Sequence, residues 1–182
     1  MKPRIQRKFF DDLYATDPDP WNFATSPYER AKYDATIKAL ENRRYATGLE
    51  IGCSIGVLTG RLAQHVDDLL AIDVAEAALE QARARNPTVR FERREIPEEY
   101  PPGDFDLTVC SEVLYYLDEP AFQATLDRLT GTLLHVHWRP ATQTYPLGGD
   151  DVRMRLTERF GAADYSRETE EYVLDRWDRC GC

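Results

Sequence analysis

An apolar approach ending in Leu49-Glu50-Ile51 runs straight into Gly52-Cys53-Ser54-Ile55-Gly56, and a helix-like run from Val57 to Val66 follows. Two glycines four positions apart demand a sharp turn after the strand, with no Cβ where a ligand comes close to the backbone. A second apolar segment, Leu69-Leu70-Ala71-Ile72, closes on Asp73, twenty-three residues beyond Glu50. Together these pieces make a βαβ unit, and a carboxylate at the end of its second strand stands where a ribose diol is gripped. The same residues also read as an ordinary strand, glycine turn and helix, with Asp73 capping the helix after it.

Beyond this unit the periodicity keeps alternating, which is the pattern of a mostly parallel sheet covered by helices. The apolar segments predict strands over Gly48–Ile51, Leu69–Asp73, Thr88–Arg93, Asp106–Ser111 and Leu133–Trp138. Helices are predicted over Val57–Val66, Glu76–Arg85 and Pro120–Thr130, with Asn86-Pro87 ending the second. Ahead of the first strand, Ser26–Asn42 reads as an amphipathic helix with Ser26 and Pro27 at its start. Asp151–Phe160 reads as a short helix, and Ala163–Trp177 as one long strand or a hairpin. At 182 residues the expectation is a single domain, with residues 1–45 as a helical cap and 46–182 as a Rossmann-like core.

The loop chemistry separates two nucleotide ligands. A dinucleotide loop carries a third glycine so that pyrophosphate can sit on the helix N-terminus, and here that glycine is missing. Glu50 at the strand end repels a pyrophosphate and suits an α-ammonium group. The E-I-G-C-S-I-G pattern with Asp73 downstream resembles the first two motifs of class I S-adenosylmethionine-dependent methyltransferases. That resemblance implies S-adenosylmethionine as cofactor, held by Glu50, Gly52, Cys53, Ser54, Gly56, Asp73 and Val74. It also implies a C-terminal antiparallel hairpin on the parallel sheet.

Composition narrows the partners. A formal net charge of −9 argues against general nucleic-acid binding, whose affinity rests on Lys and Arg contacts to phosphate. No apolar run approaches the roughly 20 residues of a bilayer crossing, and Met1-Lys2-Pro3-Arg4 has no apolar core behind it, so a cytoplasmic protein without a membrane partner is expected. Among the four cysteines, Cys53 and Cys110 fall in loop and strand contexts, while Cys180 and Cys182 sit one residue apart at the tail. Reduced thiols and no metal site are the expectation.

A further constellation follows the fourth predicted strand, where Asp106-Leu107-Thr108-Val109-Cys110 leads into Ser111-Glu112-Val113-Leu114-Tyr115-Tyr116. Ligands of open α/β sheets bind beyond the C-terminal strand ends, which points Ser111, Glu112 and Tyr116 toward the cofactor crevice. Tyr115 reads instead as a packed aromatic residue. After the third strand, Glu95 suits a hydrogen bond from an adenine amino group and Ile96 a cover for the ring; an exposed charged loop is the other reading.

Four stretches carry a narrower resemblance: D-P-W-N-F at 19–23, S-P-Y-E-R-A-K-Y at 26–33, L-E-I-G-C-S-I-G-V-L-T at 49–59 and S-E-V-L-Y-Y-L at 111–117. They resemble the nodulation protein S (NodS)-like N-methyltransferases, which methylate the amino group of a deacetylated chitooligosaccharide. By that resemblance Trp21 flanks the cofactor and Lys32 meets its carboxylate, although Lys in place of Arg loses the bidentate fork. It also implies an amine-bearing small molecule as acceptor. Glu112 and His137 are candidates to hold or accept the amine proton, and Trp21, Tyr116 and Trp138 to form an aromatic wall. A nucleotide-dependent oxidoreductase and a catalytically silent binding protein of the same fold are the alternatives.

Overall fold

The computed structural model describes residues 2–140 and 142–179. It divides into two compact units, one spanning Gln6–Glu95 and one formed by residues 2–5 with 96–179, and each is described in turn.

In the first unit, β1 (Tyr45–Ile51), β2 (Val66–Asp73) and β3 (Arg90–Arg93) pair in parallel in the order β3-β2-β1. Leu49, Glu50 and Ile51 are buried in succession, as are Leu69 to Ile72, which is the signature of strands covered on both faces. Register places Glu50 beside Ala71 and Asp73 beside Arg93. Helix α1 (Arg7–Thr16) packs on α4 (Glu76–Arg85), and α2 (Pro27–Lys38) packs on α3 (Val57–Leu62). Ser26 caps α2 by accepting from the Glu29 N–H, with Pro27 in the first turn as the sequence predicts. Glu76 opens α4 while Arg83 and Arg85 close it, an arrangement that complements the helix dipole.

Several boundaries move from their sequence expectation. Helix α2 stops at Lys38 rather than Asn42, because Glu41 and Asn42 take the left-handed conformation at φ 52° and 59°. Helix α3 ends at Leu62, and Val66 belongs to β2, where it pairs with Tyr45. The exposed Asp67 and Asp68 disguise the start of that strand. Helix α1 falls within the segment expected as a helical cap but has no predicted bounds of its own, although Phe10 and Tyr14 stand one turn apart on it.

In the second unit, β4 (Leu107–Ser111) and β5 (Thr132–Trp138) are parallel. The ambiguous segment 163–177 resolves as the hairpin of β6 (Tyr165–Glu168) and β7 (Tyr172–Trp177), with β7 antiparallel to β5 and the order β4-β5-β7-β6. Parallel strands and a terminal antiparallel hairpin are thus both present. Helix α5 covers Glu119–Leu126, capped by Asp118 on the Ala121 N–H; it starts one residue before and ends four before the predicted span. Helix α6 covers Gly149–Phe160 and packs on β5, β7 and the 3-10 turn Leu114–Tyr116. Gly149 is forced at its start, since a Cβ there would stand 2.2 Å from the Trp138 carbonyl oxygen. Cys53 and Cys110 are buried free thiols, and Cys180 and Cys182 lie outside the described residues. Among the described residues, no helix is long and apolar enough to cross a membrane.

Candidate functional site

The loop after β1 is fastened by its own backbone. The Gly52 and Cys53 amides both donate to the Ile72 carbonyl, at 2.9 and 3.0 Å, and the Gly56 amide donates to Cys53. Gly52 and Gly56 adopt φ 79° and 78°, and Ser54 takes φ 50° between them. A non-glycine residue held there marks a place where the surroundings impose the conformation. The imposing partner is Asp73: its Oδ2 accepts the Ser54 N–H at 2.8 Å and its Oδ1 accepts the Ala75 N–H at 2.9 Å. Burial raises the Asp73 carboxyl above its ordinary value, and these amide hydrogen bonds offset part of the rise. The carboxylate keeps acceptor capacity beyond these amides.

At Gly56 a Cβ would meet Ala82 Cβ at 2.9 Å and Asn86 Nδ2 at 2.7 Å, so this position is set by the packing of α4 rather than by ligand approach. Asn86 then fastens the turn by donating to the Gly56 carbonyl at 2.8 Å. Cys53 turns its side chain into a cluster with Ala71, Leu79, Ala82 and Phe91, where burial pushes its thiol up.

Glu50 is 1% exposed, and its Oε2 has no hydrogen-bond partner. Burial pushes its carboxyl up to about 8, with Thr59 offsetting the rise and the Asp73 charge adding to it. Such an atom costs free energy unless a donor or cation meets it. Above the loop, Tyr14 of α1 shares a hydrogen bond with the Ser54 hydroxyl, and its ring stands 5.9 Å from Trp21. Tyr14, Ile55, Ala75 and Ala78 form one buried cluster, and Trp21 packs against it with Phe10, Phe23 and Val57. Trp21 is therefore packed beside the loop. Tyr14 was missed, and its signal was the aromatic spacing of a helix that local propensity did not declare. Lys32 is 2% exposed, with its ammonium 3.0 Å from Glu29 and 5.2 Å from the Tyr28 ring centroid. Val74 gives its carbonyl to Arg93, Glu95 is half-buried and Ile96 is buried.

The second unit gathers Ser111, Glu112, Tyr116 and His137 at the ends of β4 and β5. Glu112 sits at φ 56° just past β4, and its amide donates to Val136 at 2.8 Å. Its Oε2 accepts from both the Tyr115 hydroxyl and the Trp138 amide, each at 2.8 Å. Tyr115, Tyr116 and Tyr145 pack as an aromatic trio, with Tyr115 stacked on Tyr145 at 5.1 Å and Tyr116 edge-on to both. Burial raises the Tyr115 and Tyr116 hydroxyls well above their ordinary value. His137 is fully buried, its Nε2 accepts the Leu114 amide at 3.0 Å, and its Nδ1 lies 2.6 Å from His135 Nδ1. Ser111 is half-buried at the strand end, beside Val136 in register.

With this geometry in place, similarity to known proteins fixes the class. The crystal structure of the N-methyltransferase NodS from Bradyrhizobium japonicum WM9 in complex with S-adenosyl-L-homocysteine matches with a TM-score of 0.79 and 28% identity, covering 94% of this chain and 97% of that one. The fold is the Rossmann-like class I methyltransferase fold. The family profile of nodulation protein S matches residues 7–136, and the chain belongs to that family. The nodulation protein S of Azorhizobium caulinodans is 30% identical over 121 residues, 65% of this chain and 56% of its own length. A ubiquinone biosynthesis O-methyltransferase from Methylococcus capsulatus is 30% identical over 145 residues, 73% of this chain and 61% of its own. The chain spans about half the length of the curated nodulation protein S relatives it matches.

Proposed function

We propose that this chain is an S-adenosylmethionine-dependent methyltransferase acting on an amino group of a small molecule such as a deacetylated aminosugar or chitooligosaccharide. The observation that carries the reading is the buried Glu50 carboxylate, whose Oε2 lacks a partner beside a loop that spends its Gly52, Cys53, Ser54 and Gly56 amides internally. Such a loop has few N–H groups left for a pyrophosphate and a carboxylate ready for an ammonium, which fits the methionyl end of adenosylmethionine and disfavours a dinucleotide. Asp73 would take the ribose hydroxyls on its remaining lone pairs, and Trp21 would flank the ligand. When bound, the cofactor supplies an activated sulfonium methyl group.

The remaining chemistry is orientation and charge. Glu112, fixed by Tyr115 and the Trp138 amide, would stabilise positive charge developing on an acceptor nitrogen and repel anionic acceptors. Tyr116 would line the acceptor side. Incubation with labelled adenosylmethionine and a panel of glucosamine oligomers, small amines and phenols tests the proposal. Amines should be labelled first, and Glu112→Gln should lower turnover about a hundredfold while cofactor affinity holds. Equal labelling of phenols together with full activity of the glutamine variant would refute the amine assignment.

A further inference from the structure

The second unit contains a hydrogen-bonded file of side chains that the chemistry above does not use. His135 and Asp175 face each other across the antiparallel β5 and β7 register, and His137 lies two residues further along β5. All three are buried, with both histidines at 0% exposure. His135 Nε2 stands 3.2 Å from Asp175 Oδ2, and Arg153 Nε of α6 stands 3.0 Å from the same oxygen. Arg153 in turn reaches Glu168 Oε2 at 2.7 Å and the Ser166 hydroxyl at 2.8 Å on β6.

The protons in this file have one consistent arrangement. A backbone amide is always a donor, so the Leu114 N–H obliges His137 Nε2 to be the bare, accepting nitrogen. His137 must then carry its proton on Nδ1 and donate it to His135 Nδ1. His135 is left with its proton on Nε2, which it donates to Asp175. A second proton on His135 has no acceptor here, because it would face the His137 Nδ1–H across 2.6 Å. Burial works to raise the Asp175 carboxyl, but its interactions with His135, Ser166 and Arg153 together outweigh it and hold it below the ordinary range.

We propose that His135 and Asp175 are positioning residues, which lock His137 in its Nδ1–H tautomer so that its Nε2 holds the Leu114 amide and the turn carrying Tyr115 and Tyr116. The consequence reaches Glu112, because Tyr115 donates to its carboxylate and the Tyr115 ring stands edge-on to His137 at 5.1 Å. A histidine whose tautomer is set by a carboxylate partner is a recurring way of fixing orientation, here transmitted through one more imidazole. The effect on turnover rests on the reading of Glu112 as an acceptor-side group; the tautomer lock does not.

Nitrogen-15 NMR of the full chain reads the lock directly. His137 should show a protonated Nδ1 and a bare Nε2, and His135 the reverse; the opposite pattern or two averaged rings at neutral pH would overturn the proposal. Asp175→Leu removes the acceptor, whereas Asp175→Asn still presents an oxygen to His135. In the leucine variant the Leu114 amide should exchange about tenfold faster and turnover should fall about tenfold with the cofactor KM unchanged, both recovering in the asparagine variant. His135→Phe is the second test should the leucine chain fail to fold, with the same loss of Leu114 protection expected. Unchanged Leu114 exchange in the folded variants sinks the lock. Should the tautomers and exchange behave as stated while wild-type protein labels no acceptor, the lock stands and the methyl-transfer reading fails.

Discussion

The glycine-loop unit and the β4–β5 strand ends both hold buried or half-buried carboxylates, and they hold them by different means. Asp73 is gripped by the amides of Ser54 and Ala75, residues of its own βαβ unit. Glu112 has one local partner, Tyr115 three residues on, but it and Asp175 are otherwise gripped by groups that only the strand register and helix packing bring near, namely the Trp138 amide, His135 and Arg153. A site built from local backbone turns tolerates change in side chains but little change in backbone shape. One built from side chains on separate elements responds in the opposite way.

The largest effect should come from breaking the loop's shape. Gly56→Val must place a branched side chain at φ 78° against Ala82 and Asn86, combining backbone strain with overpacking for a loss of about 3 kcal/mol or more. A marked fall in melting temperature checks it, and a melt equal to wild type would mean that α4 yields. Next comes Asp73→Ala, which strands two amides and removes the proposed ribose acceptor. Each orphaned amide costs about 1–3 kcal/mol, and affinity for S-adenosylhomocysteine by calorimetry should drop more than tenfold. Unchanged affinity would move the ribose site away from Asp73.

This contrast also accounts for what the sequence could reveal. The turn after β1 is legible because Gly52 and Gly56 announce it within one short motif, and Glu76–Arg85 agrees with α4 residue for residue because its charges and the following Asn86-Pro87 mark both ends. Tyr14 escaped because its partner Ser54 lies forty positions away. His135 and His137 stand two apart in the sequence and so share one strand face, yet their link to Asp175 depends on the β5–β7 register, which an ambiguous period over 163–177 could not supply. The reason for Gly56 likewise needed three dimensions, because Ala82 and Asn86 belong to another helix.

A third prediction uses pH to separate the regions. Glu50 in the folded chain is pushed up to about 8 from 4.5, so between those values the folded state binds one more proton than the unfolded state. Its contribution to stability is therefore greatest at low pH and is lost as pH rises through that window. Glu50→Gln should flatten the decline in melting temperature between pH 4.5 and about 8, the limits of that window. Asp73, also raised by burial, leaves a residual slope of the same sign. Binding an α-ammonium ligand to ionised Glu50 should release a proton at neutral pH, read as a buffer-dependent enthalpy with S-adenosylhomocysteine and lost in the glutamine variant. A wild-type profile identical to that of the variant would show that Glu50 is already ionised.

The smallest effect should fall on the side-chain-built region when one donor of several is removed. Tyr115→Phe takes away one hydrogen bond to Glu112 Oε2 and leaves the Trp138 amide bond, the stacking on Tyr145 and the edge contact with His137. The cost should be about 1 kcal/mol, a shift of about 2–4 °C in melting temperature for a chain of this size. Turnover should fall much less than in Glu112→Gln, because the carboxylate remains and one donor still orients it. If Tyr115→Phe instead slows transfer as severely as the glutamine variant, with cofactor affinity intact, the Trp138 amide alone does not fix Glu112. Tyr115 would then be the link through which the turn held by His137 controls the carboxylate, and this region would depend on one side-chain contact as strictly as the loop depends on Gly56.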